Sequence, residues 1–334
     1  MSMNNAGQAR KKYIVDIVHM ERLTSEEYIF RDGQKPVRIL EDVSLLIKRG
    51  EVWSISGLTS IEIRLLLEIM ANIRPYHSGR CILAERGMMR HKRIILNHVF
   101  YIGDAEMLYE NMTVLEYLTF AAHYRKSSTL LLQDELLEFI IGAGLGRISL
   151  TPIKLLTTEE KAIVTLIAAV YSESLLIVFN FPEFAFDDAL IDAIRRISDI
   201  VRDSGKALVI GTNSYSLTEA ACSHAAFVAD GRIIYSGTVE DLRFGYDPVE
   251  LIVRGNNLSE LAERLSPMLP GYALLFSDNS LLILKRSGSD PEGFVHKKII
   301  ESGILPESIE INPKTVRNAY RELLRQNDLQ DELL

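Results

Sequence analysis

Residues 54–79 read SISGLTSIEIRLLLEIMANIRPYHSG. Apolar residues crowd the segment that ends at Gly57. A short polar stretch follows, and then apolar residues recur three and four apart from Leu65 to Ile73. The pattern predicts a buried strand, a turn and an amphipathic helix. A strand–turn–helix of this kind is the scaffold of a phosphate-binding loop. Such a loop needs glycines so that backbone N–H groups can wrap the phosphates, a lysine for the β- and γ-phosphates, and a hydroxyl for Mg²⁺. The turn here runs TSIEIR, with neither a second glycine nor a lysine.

The pattern continues on both sides. Upstream, YIVDIVHM and VRILEDVSLLIKRGEVWSIS read as strands, the last two separated at Arg49-Gly50. Downstream, HSGRCILAERG reads as a hairpin and ILNHVFYIG as a strand. Residues 113–144 read as helices. EEKAIVTLIAAVYSES is a helix with an apolar face leading into LLIVFNFPE, a continuous apolar run suited to a strand covered on both faces. LIDAIRRISDIVRDSG, KALVIGTNS and the hairpin at Asp230-Gly231 complete an alternation of strands and helices. That alternation predicts an α/β fold with a mainly parallel sheet. The texture changes near Tyr246-Asp247-Pro248, beyond which the chain reads β-α-β-β-α-β-α, a small α+β domain.

Composition limits the function classes. The chain has 334 residues, 47% hydrophobic and 25% charged, which suffices for a large core. A net charge of −8 argues against nucleic acid as the main partner. The two cysteines, Cys81 and Cys222, give no disulfide framework and fit a reducing compartment. The seven histidines show no metal-ligand spacing, and the longest apolar run, AIVTLIAAVY from Ala162, is too short to span a bilayer. The polar start MSMNNAGQARKK has no secretory pattern.

Four segments, in order and at fitting intervals, resemble the ATPase subunit of an ABC transporter: ISGLTSIEIRLLLEIMANIRPYHSG, YIGDAEMLYENMTVLEYLTFAAHY, LLTTEEKAIVTLIAAVYSESLLIVFNFPEFAFDD and GTNSYSLTEAACSHAAFVADGRIIYSGTVEDL. The resemblance covers about residues 13–242. It implies a P-loop NTPase-like parallel sheet core with an antiparallel β subdomain and a helical subdomain near 104–155. The expected organisation is a leader over 1–12, the nucleotide-binding domain over 13–245, an accessory α+β domain over 246–325 and a tail over 326–334. INPKTVRNAYREL is similar to the terminal helix of ABC-2-type exporters.

Laid against the family's motifs, the phosphate loop falls on Gly57, Leu58, Thr59, Ser60, Ile61, Glu62, Ile63 and Arg64. Glu62 stands where a glycine is expected, Ile63 where the lysine is, and Arg64 where the Mg²⁺-binding hydroxyl is. A carboxylate about 4 Å from a phosphate charge costs about 4 kcal/mol at an effective dielectric of ~20, and the lost lysine attraction is of similar size. The strand that should end in Asp-Glu ends in Asn180-Phe181, and Asn213 stands where a γ-phosphate-sensing histidine is expected. Glu183 and Asp187 read as surface carboxylates beyond that strand end. The signature loop falls on Leu156, Thr157, Thr158, Glu159 and Glu160, with Glu159 in a glycine's place where it satisfies the helix dipole itself. Asp104 takes the place of the glutamine that contacts the permease, and Tyr28 (or Phe30) is the candidate for base stacking.

No catalytic residue is expected, and any binding of ATP and Mg²⁺ is expected to be weak. The expected role is a non-hydrolysing docking or regulatory subunit. Its partners would be a membrane permease and a second ABC ATPase subunit, at the cytoplasmic face of the membrane. The alternatives are a slow ATPase that uses Arg64, and a soluble regulatory protein without a permease.

Overall fold

The computed structural model describes residues 16–27, 37–87, 98–103, 109–122, 129–246, 249–277, 279–285, 293–312 and 314–329. Tyr28, Phe30 and Asp104 lie outside them. The chain divides into two compact units, with the boundary between Val239 and Glu240. That is one helix before the change of sequence texture at Tyr246.

The first unit is a mixed α/β body. Its strands are β1 (Asp16–Glu27), β2 (Val37–Lys48), β3 (Val52–Gly57), β4 (Ser78–Leu83), β5 (Arg86–Gly87), β6 (Val99–Ile102), β7 (Leu176–Asn180), β8 (Ala207–Gly211), β9 (His224–Ala229) and β10 (Arg232–Thr238). Its helices are α1 (Ser60–Met70), α2 (Val114–Ala122), α3 (Thr129–Gly142), α4 (Thr158–Tyr171), α5 (Asp188–Ser204) and α6 (Tyr215–Ala221). A six-stranded sheet has the order β10-β9-β3-β8-β7-β6, parallel except at β10. Every residue of β3, β7 and β8 is buried, as their unbroken apolar runs require of strands covered on both faces. A second, antiparallel sheet has the order β2-β1-β4-β5. Its buried residues share one core with α1 and the parallel strands, including Ile17, Val43, Leu66 and Val178.

Local signals fix the helix ends. Asp187 caps α5 by accepting a bond from Leu190 N–H at 2.8 Å. At the other end Gly205 turns the chain out of the helix at φ +68°. Buried Lys206 donates to the backbone carbonyls of Val170 (2.7 Å) and Ser172 (2.6 Å) and so caps the C-terminus of α4.

The second unit holds α7 (Val239–Tyr246, all but its first residue), β11 (Val249–Arg254), α8 (Leu258–Leu265), β12 (Tyr272–Ser277), β13 (Ser280–Lys285), α9 (Phe294–Glu301), β14 (Ser308–Ile311) and α10 (Val316–Gln326). The sheet order is β12-β13-β11-β14, antiparallel throughout. With two helices on one face this is the split β-α-β arrangement. Leu261 and Leu265 of α8 and Val295 and Ile299 of α9 pack on Leu251, Val253, Leu281 and Ile283. The β-α-β-β-α-β-α order matches the sequence reading.

Candidate functional site

The candidate site lies at the carboxyl ends of β3, β7 and β8, where the first turn of α1 begins. Gly57 ends β3, and only Leu58 and Thr59 separate it from α1. A Cβ on Gly57 would come within 2.6 Å of the Val228 carbonyl oxygen, so close strand packing requires glycine there whatever else the loop does. The Gly57 N–H donates to Asn213 Oδ1 at 3.2 Å and the Leu58 N–H to Val228 O at 3.2 Å.

Helix α1 opens with Thr59 as its cap. Thr59 Oγ1 accepts a bond from Glu62 N–H at 3.3 Å and donates its own proton to Glu62 Oε2 at 2.8 Å. The other oxygen, Glu62 Oε1, accepts from the Gly231 N–H at 2.6 Å. Glu62 is 7% exposed, so its carboxylate is a buried tie between α1 and the β9–β10 turn, 169 residues away. Gly231 holds φ +75°, and a Cβ there would meet the Ile39 carbonyl oxygen at 2.8 Å. Ile63 is fully buried in the core shared by both sheets. Ile61, by contrast, is 61% exposed, and Leu58 and Ser60 are half-buried. Arg64 turns to the loop after β7 and pairs with Glu183 at 2.6 Å. Both side chains are largely exposed, so the pair contributes at most about 1 kcal/mol.

Asn180, at the end of β7, is 1% exposed. Its Nδ2 donates to Tyr101 Oη at 2.9 Å and to the Arg64 carbonyl at 3.4 Å. Its Oδ1 is buried with no hydrogen-bond partner among the described residues. Burial raises the Tyr101 hydroxyl above its ordinary pKa, and the bond from Asn180 offsets this in part. Tyr101 therefore stays protonated. Phe181 is 5% exposed and packs between Phe179 and Phe184, at ring-centroid distances of 4.8 and 4.5 Å. The strand end is thus an aromatic cluster extended by Phe186, with no carboxylate inside it among the described residues. Asp187 caps α5, and Glu183 faces solvent beside Arg64.

The stretch Leu156–Glu160 forms the start of α4. Leu156 is buried, Thr157 and Thr158 are exposed, and Glu159 is half-buried. A capping box closes this terminus: Glu160 N–H donates to Thr157 Oγ1 at 3.2 Å, and Thr157 N–H donates to Glu160 Oε2 at 3.0 Å. Glu160 Oε1 also pairs with Arg147 at 2.6 Å. Glu159 and Glu160 both lie in the first turn of the helix, where an acid favours the dipole, and Glu160 is the one that bonds the backbone there. Thr-x-x-Glu at 157–160 is the local signal that identifies it, and the same spacing recurs at Thr59–Glu62 and Thr113–Glu116. No local signal points to Tyr101 or Gly231, which reach the site through tertiary packing.

Among the described residues no group of His, Cys, Asp or Glu is arranged to hold a metal ion, and no helix is long and apolar enough to cross a membrane. Exposed apolar side chains lie on the helical part of the first unit. Tyr109 and Phe120 are 43% and 54% exposed and meet edge to face at 5.2 Å. Leu150 and Leu155 are about 70% exposed on the segment that pairs backbone bonds with residues 110–114.

No family model matches the chain. Among curated proteins it is 25% identical over 229 residues to the macrolide export ATP-binding/permease protein MacB of Bartonella quintana, covering 66% of this chain and 33% of that protein. It is 22% identical over 221 residues to the methionine import ATP-binding protein MetN 1 of Lactiplantibacillus plantarum, covering 64% and 61%. The match thus spans about a third and three fifths of these relatives. Among solved structures, cbiO1 from Clostridium perfringens, part of the ABC transporter complex cbiONQ, aligns with TM-score 0.57 at 17% identity, covering 77% of this chain and 96% of that one. The dimeric ATP-binding cassette MJ0796 bound to ADP and Pi aligns with TM-score 0.55 at 17% identity, covering 66% and 98%. The chain is a relative of ABC transporter ATP-binding subunits, and it carries the fold of their ATPase cassette.

Proposed function

We propose that this chain is a non-hydrolysing subunit of an ABC transporter, which docks on a membrane permease and works beside a competent ATPase subunit. One observation carries the reading: the carboxylate of Glu62 is locked into the first turn of α1, bound by Gly231 N–H and Thr59 Oγ1. That turn is where the phosphates of ATP would be held. An anion supplied by the protein already engages the turn, and fully buried Ile63 offers no cation. The start of α4 is closed by a capping box in which Glu160 accepts from the Thr157 N–H, so both helix termini that would face nucleotide across a dimer carry their own acid. Asn180 and Phe181 supply neither a charged Mg²⁺ ligand nor a general base.

The docking role draws on the exposed apolar side chains of Tyr109, Phe120, Leu150 and Leu155, which suit a short amphipathic helix of the permease. Attachment to the membrane would then come through that partner, at the cytoplasmic face. The rival reading, a slow ATPase that uses Arg64 as its cation, requires Arg64 to leave Glu183. The test is hydrolysis and capture in one preparation. Purified chain should release no phosphate from Mg-ATP above the no-enzyme rate, and affinity-tagged chain should retain a multi-span membrane protein. Turnover abolished by Arg64→Ala would favour the ATPase, and a tagged chain recovered without any membrane protein would overturn docking.

A further inference from the structure

A polar crevice of about 850 Å³ opens in the first unit, and its charged lining is Arg22, Arg38, Glu41, Asp42, His77 and Arg232. Two β-bulges aim charge at it. Between the pairs Met20–Leu45 and Leu23–Val43, β1 carries one residue more than β2. Between Leu23–Val43 and Ser25–Leu40, β2 carries one more than β1. Arg22 and Asp42 fall in these two stretches, at φ +48° and +56°, the left-handed region that side chains rarely enter. The bulge in β1 also interrupts its pairing with β4, between Glu21–Arg80 and Thr24–Ser78. Bulges re-aim side chains and gather beside binding sites, and backbone strain of this kind clusters at ligand clamps.

The β9–β10 turn supplies a fixed wall. The Gly231 carbonyl accepts from the Glu41 N–H at 2.8 Å and the Gly231 N–H is held by Glu62, so Arg232 stands beside a residue tied from both sides. Glu41 bridges two guanidiniums, Arg38 at 3.2 Å and Arg232 at 2.8 Å. The Arg232 bond holds its carboxyl below the usual range, so Glu41 is an ionised bridge. Arg22 reaches Asp42 through Nε at 3.2 Å, and its two terminal nitrogens have no partner among the described residues. The crevice therefore sets three guanidiniums against two carboxylates, a local excess of positive charge on a chain of net charge −8.

We propose that this crevice binds a small organic phosphate, a hydroxyl-bearing phosphate monoester such as a sugar phosphate. A guanidinium presents paired donors that match phosphate oxygens, and a phosphate dianion competes with the single Glu41 carboxylate for Arg38 and Arg232. The volume lies in the range of small-molecule sites and exceeds what a bare ion fills. Thr24, Ser78 and His77 complete the lining with polar groups suited to ligand hydroxyls. Mg²⁺ bridges and neutralises the phosphate oxygens of ATP, so the crevice does not select Mg-ATP.

The test is isothermal titration of the full chain with glucose 6-phosphate in metal-free buffer at fixed low ionic strength, with glucose and inorganic phosphate titrated separately. Glucose 6-phosphate should bind saturably, with a dissociation constant of about a millimolar or below. Inorganic phosphate should bind more weakly and glucose not at all. Arg232→Gln should weaken the sugar phosphate at least tenfold. Glu41→Gln removes the competing carboxylate and should tighten it at least threefold, the opposite of what a purely structural ion bridge predicts. Circular dichroism verifies that both variants fold. Arg64→Ala, at the phosphate loop, should leave the affinity unchanged. The absence of saturable binding would overturn the proposal, as would inorganic phosphate binding as tightly as the sugar phosphate. So would binding that Glu41→Gln abolishes, or binding that Arg64→Ala weakens while Arg232→Gln does not.

Discussion

Removing the Glu62 carboxylate probes the most consequential contact in the molecule. Glu62 is 7% exposed and accepts two bonds, from Gly231 N–H at 2.6 Å and Thr59 Oγ1 at 2.8 Å. Hydrogen bonds to a charged group contribute about 1.5–3 kcal/mol each, and a buried N–H left without a partner costs about 1–3 kcal/mol. Glu62→Ala leaves the Gly231 N–H in that condition, while the Thr59 hydroxyl can turn to solvent. The expected loss is therefore about 2–4 kcal/mol. Glu62→Gln retains a carbonyl acceptor and should lose about half as much. Trp53, the single tryptophan of the chain, lies in β3 of the same unit, so its fluorescence during urea denaturation reads the unit that contains the contact. Hydrogen exchange at the Gly231 amide should accelerate in parallel. If Glu62→Ala unfolds within about 0.5 kcal/mol of the wild type, as surface substitutions do, Glu62 is not a buried tie and the site is open to another anion.

Other outcomes follow from the same geometry. Asn180→Asp places a carboxylate at a 1%-exposed position whose donor bonds to Tyr101 and Arg64 are lost, and it should destabilise the chain by about 2 kcal/mol or more in chemical denaturation. A buried acid favours its neutral form, so that penalty should grow as pH rises through the range where the introduced carboxyl ionises. Thr157→Ala removes one half of the capping box and should cost about 1 kcal/mol in the same assay. Burial pushes the thiols of Cys81 and Cys222 up to about 12, so the thiolate fraction at pH 8 is about one in ten thousand. Both should resist iodoacetamide in the native chain and react within minutes in urea. Trp53 stacks on His224 at 4.8 Å, so His224→Ala should shift the Trp53 emission spectrum of the native chain.

What was legible in the sequence was what short spacing encodes. The continuous apolar runs ending at Gly57, Asn180 and Gly211 are the central strands of the parallel sheet, because burial on both faces leaves no polar alternation to confuse them. The β-α-β-β-α-β-α order of the second unit could be read for the same reason: its helices and strands have different periods. The Thr-x-x-Glu spacings are equally local, and at α4 both Glu159 and Glu160 fall in the first turn. Three pairings had no sequence signal at all. Glu62 with Gly231, Arg64 with Glu183 and Asn180 with Tyr101 are 169, 119 and 79 residues apart, and each exists only because the parallel sheet brings strand ends together. They decide how a strand–turn–helix keeps its shape without phosphate in it.

Isothermal titration of the purified full-length chain with Mg-ATP tests the central claim most directly. An acid in the loop and the absence of a lysine each weigh about 4 kcal/mol against triphosphate, and 1.4 kcal/mol is tenfold in affinity. The expected result is no saturable heat at millimolar nucleotide. A micromolar dissociation constant that Arg64→Ala weakens, with Glu62 displaced from Gly231, would contradict it.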